Sequence, residues 1–370
     1  MLVLLAVAVG ALAWLATTTS GFRWLVQSVA ATSGGRIVAD GIDGHLGAPI
    51  TIRTLTLANE FRRIEIDGVR LEWQPRALWQ RRLDIELLAA QTLRVVALKR
   101  DPAPPELPAS LRAPFDVSIR TLDVATLAFV DAGQMLALHA LHARLDGVGG
   151  HYRLTHAGVA TPWGEVWGEL ELGKDAPFAL AGRLDAARQA PLPAAARLAL
   201  SGTLAAPVFR LDAEAEGMSV MAAGEVAPFE AVRLRRLLVA GQGVDPGMFA
   251  ADAPAADLAF SGIFEGQPGE RLLGSFSLSN RLAGRLDQQR LPLASLSGAV
   301  FGDAAHADFS ALAVDFGDAG QFTGSGSWRD GHFAVRLESL RVNLAGLHRD
   351  LYATKIKTVL QLNGDAARQT

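Results

Sequence analysis

The 370-residue chain contains no cysteine. Disulfides, thiolate metal sites and cysteine nucleophiles are thereby excluded, while the compartment stays open, because a cysteine-free chain tolerates oxidising and reducing spaces alike. Charge is sparse as well. Only 20% of residues are charged, and the net charge of −3 comes from both signs mixed along the chain. No basic stripe with interleaved aromatics is present, so nucleic-acid binding has no support. Catalytic signatures are missing: there is no G-x-S-x-G elbow, no G-x-x-x-x-G-K-[ST] loop and no H-E-x-x-H pair. Gly324-Ser325-Gly326 precedes no helical pattern. His139, His142, His151 and His156 lie close together, but the first two are spaced to point to opposite faces of a strand, and surface or turn positions are expected rather than metal ligation. Asp84 and Glu86 share one strand face, which solvated alternation explains better than a glycosidase pair in a cleft. The chain reads as a non-enzyme that needs no cofactor or metal.

Half of the residues are hydrophobic, more than in an average soluble domain. Part of that excess sits in an uncharged run from Leu2 to Ala16, LVLLAVAVGALAWLA. A spanning helix needs roughly 20 apolar residues; the strict run is shorter, with Trp24 placed to sit at an interface. A signal-anchor helix over 1–31, with Leu2, Leu5, Trp14 and Trp24 as its membrane contacts, competes with a cleaved signal peptide and with a buried core helix. No Lys or Arg precedes the run, so the natural start is expected upstream. Phe22, Leu25, Val26 and Val29 keep helical spacing, and Gly34-Gly35 ends it.

From Arg36 onward the period becomes two. Ile64 and Ile66 alternate with Arg63, Glu65 and Asp67; Val69, Leu71 and Trp73 alternate with Arg70 and Glu72; Leu83, Ile85 and Leu87 alternate with Asp84 and Glu86. Val117 and Ile119 flank Ser118. Later runs are Leu258-x-Phe260-x-Gly262-x-Phe264, Leu272 to Leu278 through Phe276, Phe333-x-Val335-x-Leu337, and Leu340-x-Val342-x-Leu344. Each run has strand length and is bounded by turn residues. Helical period is scarce. Pro75 to Arg82 offers one turn through Ala77, Leu78 and Trp79, and alanine-rich Asp185–Arg197 is broken by Pro191 and Pro193. An all-β fold without βαβ units follows.

Asp101 to Pro108 holds four prolines in eight residues. It cannot be a central strand and reads as an extended, partly disordered linker over 101–113. It separates an N-terminal β unit (36–100) from continuing repeats (114–370). Gly44-His45-Leu46-Gly47-Ala48-Pro49-Ile50 and Gly202-Thr203-Leu204-Ala205-Ala206-Pro207-Val208 share the pattern G-x-L-x-x-P, and Gly262-Ile263-Phe264 with Pro268 is a looser third copy. Repetition of this kind points to an open stack of hairpins.

Several segments in fixed order resemble the TamB family, the inner-membrane subunit of the translocation and assembly module, within the wider AsmA-like group of bridge-like lipid-transfer proteins. They are Thr17-Thr18-Thr19-Ser20-Gly21 after the apolar run, Gly41-Ile42-Asp43-Gly44-His45-Leu46, Ile52-Arg53-Thr54-Leu55-Thr56-Leu57, Ile66-Asp67-Gly68-Val69-Arg70-Leu71-Glu72-Trp73, Pro75-Arg76-Ala77-Leu78, Leu83-Asp84-Ile85 and Leu122-Asp123-Val124. The resemblance covers residues 1–130; beyond that only the repeat supports it. It implies a single-pass inner-membrane anchor and an elongated periplasmic β-taco, an open β-solenoid-like trough. It also implies a role in outer-membrane biogenesis, carrying phospholipid along an apolar groove, with an outer-membrane Omp85-family barrel as partner. Family members are longer, so the partner-binding C-terminal domain is expected to be absent from this chain.

On this reading the groove residues are Ile52, Ile64, Ile66, Val69, Leu71, Trp73, Leu83, Ile85, Val117, Ile119, Leu258, Phe260, Phe276 and Val335. Periodicity alone does not separate a closed sandwich from an open trough, and a closed core is the commoner outcome for a β-protein; a one-residue slip would exchange the faces. Two other readings stand beside lipid transfer: a scaffold or chaperone for outer-membrane protein and autotransporter assembly by β-augmentation, and an enzyme or adhesin on a β-solenoid.

Overall fold

A computed structural model describes residues 18–32, 36–99, 105–131, 133–189, 193–248 and 253–365. It is all-β, with twenty strands and one α-helix among the described residues. The contacts divide the chain into two units, residues 1–189 with 201–204, and residues 190–200 with 205–370. The division does not fall at the proline-rich segment, which lies inside the first unit.

The first unit holds β1 (Ile37–Asp40), β2 (Ile50–Ala58), β3 (Arg62–Gln74), β4 (Arg82–Ala97), β5 (Asp116–Asp131), β6 (Gln134–Gly147), β7 (His151–Thr161), β8 (Gly164–Gly173) and β9 (Leu180–Arg188). Successive strands pair antiparallel, except that β4 and β5 are parallel, with Arg82 opposite Asp116 and Val96 opposite Val130. This one parallel pair explains the prolines. A parallel partner must start where its predecessor started, so the connection runs back along strands that rise roughly 50 Å. About 18 residues have to cover that distance, close to the limit of an extended chain. Proline favours extended backbone and demands no hydrogen-bond partner for its nitrogen. Within the expected linker, residues 101–104 lie outside the described part.

One helix, α1 (Thr19–Thr32), precedes the sheet, and the Thr18 hydroxyl caps it by accepting from the Gly21 N–H at 3.1 Å. Its 14 residues rise about 21 Å, and no helix among the described residues is long and apolar enough to cross a membrane. Of the expected anchor residues, Leu2, Leu5 and Trp14 lie outside the described part. Trp24 sits on α1, 55% exposed.

In the second unit, β10 (Ala194–Gly202) begins at the boundary. It is followed by β11 (Pro207–Ala215), β12 (Met218–Val226), β13 (Leu234–Val244), β14 (Leu258–Gln267), β15 (Arg271–Asn280), β16 (Ser295–Gly302), β17 (His306–Asp315), β18 (Gln321–Arg329), β19 (His332–Val342) and β20 (Ile356–Asp365). From β11 onward every neighbour is antiparallel, in a meander that does not close. The connections alternate in length. Tight turns join β11 to β12, β14 to β15, β16 to β17 and β18 to β19. Most connections at the opposite strand ends are longer and carry short 3-10 turns, such as Leu286–Gln288 and Leu344–Gly346.

Two details depart from simple alternation. A bulge between Ile85 and Leu87 pairs Ile85 with Trp73 but Leu87 with Glu72, which turns Leu87 to the other face. Another bulge after Ser339 leaves Leu340 81% exposed, and Leu344 falls in a 3-10 turn rather than in the strand. The repeats also resolve: Gly44 (φ 95°) and Gly202 (φ 98°) share a left-handed turn that leads into β2 and β11, whereas Gly262 lies inside β14 and is no third copy.

Candidate functional site

Residues opposite each other across a ladder share a face, so the register sorts every side chain. In the first unit Ile66 lies opposite Leu55 and Leu93, Leu93 opposite Leu127, and Leu127 opposite Leu138. Ile64 continues the row through Leu57, Val95 and Phe129. At the other end of the same strands, Leu71 lies opposite Ile50 and Leu88, and Trp73 opposite Ile85, which meets Ile119. The ten first-unit residues expected in a groove thus fall into two ladder-linked rows, Ile64 and Ile66 in one, and Ile52, Val69, Leu71, Trp73, Leu83, Ile85, Val117 and Ile119 in the other. Leu258, Phe260, Phe276 and Val335 share one face of the second unit, linked through Leu278, Gly298, Val300, Phe309 and Gly326.

Between the two rows the apolar positions change phase. In β3 the apolar residues are Ile64 and Ile66, then Val69, Leu71 and Trp73; even numbers give way to odd at Gly68, whose φ is 64°. In β6 the change from Leu136 and Leu138 to Leu141 and Ala143 occurs at Ala140, φ 53°, and in β7 at His156, φ 51°. The long strands are thus divided crosswise into two stretches.

Only one stretch is covered. Phe22 of α1 packs with Ile42 and Ile50, and Val26, Ala39, Leu46, Ile52, Leu71 and Trp73 gather around them. Ile85 and Ile119 are buried in the same stretch. The end of the proline-rich connection is tied down here too. Lys174, 3% exposed, donates from Nζ to Asp116 at 3.1 Å and to the Gly147 carbonyl, with Nζ 4.8 Å above the Tyr152 ring. The Tyr152 hydroxyl donates to the Leu111 carbonyl at 2.8 Å, and Leu111 N–H donates to the Lys174 carbonyl. Arg112 grips Asp175 with two nitrogens; that hydrogen bonding holds the Asp175 carboxyl below the usual carboxylate range and raises Arg112. Beyond the phase change, Ile64, Ile66, Leu93, Val95, Leu127, Leu136 and Leu138 are half-buried and Phe129 is 41% exposed. Among the described residues no second sheet covers them.

Connections do the covering in the second unit. Leu312, Val314, Phe322, Leu337 and Val342 form its core, and Phe316, Leu293 and Leu344 reach over them from the long connections. These loops are stitched together. Asn280, 8% exposed, donates to the Leu291 and Leu293 carbonyls and accepts from the N–H groups of Asp257 and Leu282. Leu286 N–H reaches the Leu347 carbonyl, and Asn343 N–H that of Ala319.

Large side chains on the apolar face lie over glycines of the neighbouring strand. A Cβ on Gly241 would stand 2.4 Å from the Phe260 ring, one on Gly298 2.7 Å from Leu312, and one on Gly168 2.8 Å from Leu184. The outward face is charged and self-neutralised. Arg–x–acid pairs one strand step apart close at Arg183–Asp185 (2.9 Å), Arg210–Asp212 (2.9 Å) and Arg336–Glu338 (3.1 Å), with Arg63–Glu65, Arg70–Glu72 and Arg82–Asp84 of the same kind. Sequence reasoning passed over these pairs and over Lys174. The R-x-[DE] spacing was a readable signal for the pairs; a lone lysine before Asp-Ala-Pro gave none.

His139 and His142 lie on β6 and His151 and His156 on β7; the His142 ring covers Gly158. Among the described residues no group of His, Asp or Glu is placed to hold a metal. The chain exposes 22977 Å², against roughly 17,000 Å² for two compact domains sharing its mass. Phe178 is the one large side chain below 2% exposure among the described residues. Comparison with family models, with curated proteins and with solved structures returns no match.

Proposed function

We propose that this protein is a lipid-transfer bridge of the TamB and AsmA-like kind. It is anchored in the inner membrane by the apolar run Leu2–Ala16, and its sheet lies in the periplasm. The apolar face carries phospholipid acyl chains toward an Omp85-family barrel in the outer membrane. The observation that carries this reading is the ladder-linked apolar row from Ile64 and Ile66 across Val95 to Phe129 and Leu136, half-buried to exposed, with no second sheet over it among the described residues. A buried methylene contributes about 0.8 kcal/mol, so an acyl chain gains much from a long apolar wall and needs no directional contact. No bond is made or broken, and the role is transport rather than catalysis.

The test is lipid content and transfer. Full-length protein extracted mildly is expected to carry phospholipid detectable by mass spectrometry. Ile66→Asp and Phe129→Asp are expected to lower that content while leaving the thermal transition in place, because both positions lie outside the covered core. Unaltered lipid content in both variants contradicts the reading.

A second reading draws on β20. Its Ile356, Val359, Leu360 and Leu362 are 42%, 47%, 37% and 50% exposed, on a strand with one described partner, β19. Such an edge can add a strand, as a scaffold for outer-membrane protein assembly would. Crosslinks from β20 to nascent barrel strands, in protein that carries no lipid, favour it over transfer.

A further inference from the structure

The turn between β3 and β4 breaks the rule of paired charges. Pro75–Gln80 forms a 3-10 turn pinned by buried Ala77. Arg81 closes it in a left-handed conformation, its N–H donating to the Leu78 carbonyl at 2.9 Å and its own carbonyl accepting from Asp116 N–H at 3.0 Å. The turn is thereby fastened to both β4 and β5. This ordered support presents Trp79 at 92% exposure, the highest of the large apolar side chains described. Arg76 and Arg81 flank it, exposed, and neither guanidinium has an ion-pair partner among the described residues.

The neighbours at this end have the same character. Phe115, just before Asp116, is 41% exposed, and Val148, just after Gly147, is 40% exposed. Gly147 pairs with Val117, and Val117 with Leu83, so both stand beside the turn. Helix α1 also docks here, because its Phe22 packs among residues that include Trp73, which is two positions before the turn. An indole with one polar N–H, beside unpaired guanidiniums, suits the boundary between lipid headgroups and acyl chains. There the ring leaves water while arginines meet phosphate.

We propose that this end of the first unit seats on an anionic phospholipid bilayer, with Trp79 in the headgroup boundary and Arg76 and Arg81 on lipid phosphates. The inference deepens the transfer reading by naming where the sheet meets its lipid source, and it rests on that reading only in taking a bilayer as the source.

The chain has no cysteine, so single labels are unambiguous. Gln80→Cys places a fluorophore beside an intact Trp79, and Pro162→Cys places one in the β7–β8 turn at the opposite strand ends. Full-length protein is mixed with phosphatidylcholine–phosphatidylglycerol vesicles carrying nitroxide headgroups. Quenching is expected to be several-fold stronger at position 80 than at 162. High salt, Arg76→Glu or Trp79→Ala is expected to reduce it. Equal quenching at both sites, or none at position 80 whether or not the protein floats with the vesicles, overturns the proposal. Transfer between vesicles, read in the same samples, keeps the two ideas apart: quenching at 80 with no transfer faults the transfer reading alone, and transfer without preferential quenching faults this one alone.

Discussion

The first unit is built from strands of up to 16 residues and the second from strands of 8 to 11. Among the described residues neither unit has a second sheet over its apolar residues, and both borrow cover from segments between or before strands. In the second unit, Phe316, Leu293 and Leu344 swing in from long connections and close over Phe322 and Leu337. In the first, α1 and the end of the proline-rich connection can reach only one stretch of much longer strands, and the phase change at Gly68, Ala140 and His156 marks where that cover stops. Strand length measured against the reach of the covering segments thus decides how much apolar surface stays open. An open strip needs no special residues; it needs strands longer than their lids.

The largest expected effect tests the covered side of that contrast. Phe322→Ala removes a ring from the core of the second unit and is expected to cost about 3–5 kcal/mol, measured by denaturant unfolding. Phe129→Ala, in the other row, is expected to cost less, about 1–2 kcal/mol, since Phe129 is already 41% exposed. Equal losses would mean that the strip is covered after all.

Next comes the tie at Lys174. Lys174→Met removes the charge that joins Asp116, the Gly147 carbonyl and the Tyr152 ring, and leaves a buried carbonyl unpaired. A loss of about 2–3 kcal/mol is expected, accompanied by faster amide exchange at Leu111. Unchanged exchange there would separate the connection from the lid.

The glycine bed should matter less. Gly241→Ala brings a methyl within 2.4 Å of the Phe260 ring, and overpacking of this kind costs about 1–3 kcal/mol. Phe260→Leu in the same chain is expected to recover part of the loss, giving a favourable coupling in a double-mutant cycle.

The smallest effect is at the exposed Arg112–Asp175 pair. Asp175 has a depressed pKa in the folded state, so its contribution is present above the ordinary aspartate value of about 3.9 and fades as pH falls through the depressed one. The melting temperature of Asp175→Asn is expected to sit below that of the parent at neutral pH and to converge with it in strong acid. A gap that widens on acidification would contradict the assignment.

Much of the fold was legible before the structure. Period-two runs located the strands around Ile64, Leu71, Leu83, Val117, Phe260 and Val335, because alternation is a local property of half-buried strands. The parity of the inward face was open to a one-residue slip, because alternation alone does not say which side is covered. The phase change was half visible: Gly68 announces a break, whereas Ala140 and His156 take left-handed backbone without any residue preference to betray it. Leu87 and Leu340 were read inward because a bulge cannot be seen in a hydrophobic pattern. The parallel β4–β5 pair gave no local signal at all, yet it accounts for the prolines between them. Covering segments such as Phe22, Leu293 and Lys174 were the least legible, since contact across distant sequence leaves no period.

The central claim is that the strip beyond the phase change holds acyl chains. Full-length protein carrying a photo-crosslinking residue at Ile66, Phe129 or, as an outward-facing control, Trp167 is irradiated in native membranes and examined by mass spectrometry. Phospholipid adducts at 66 and 129 but not at 167 are predicted; adducts absent from 66 and 129, or equally frequent at all three, contradict it.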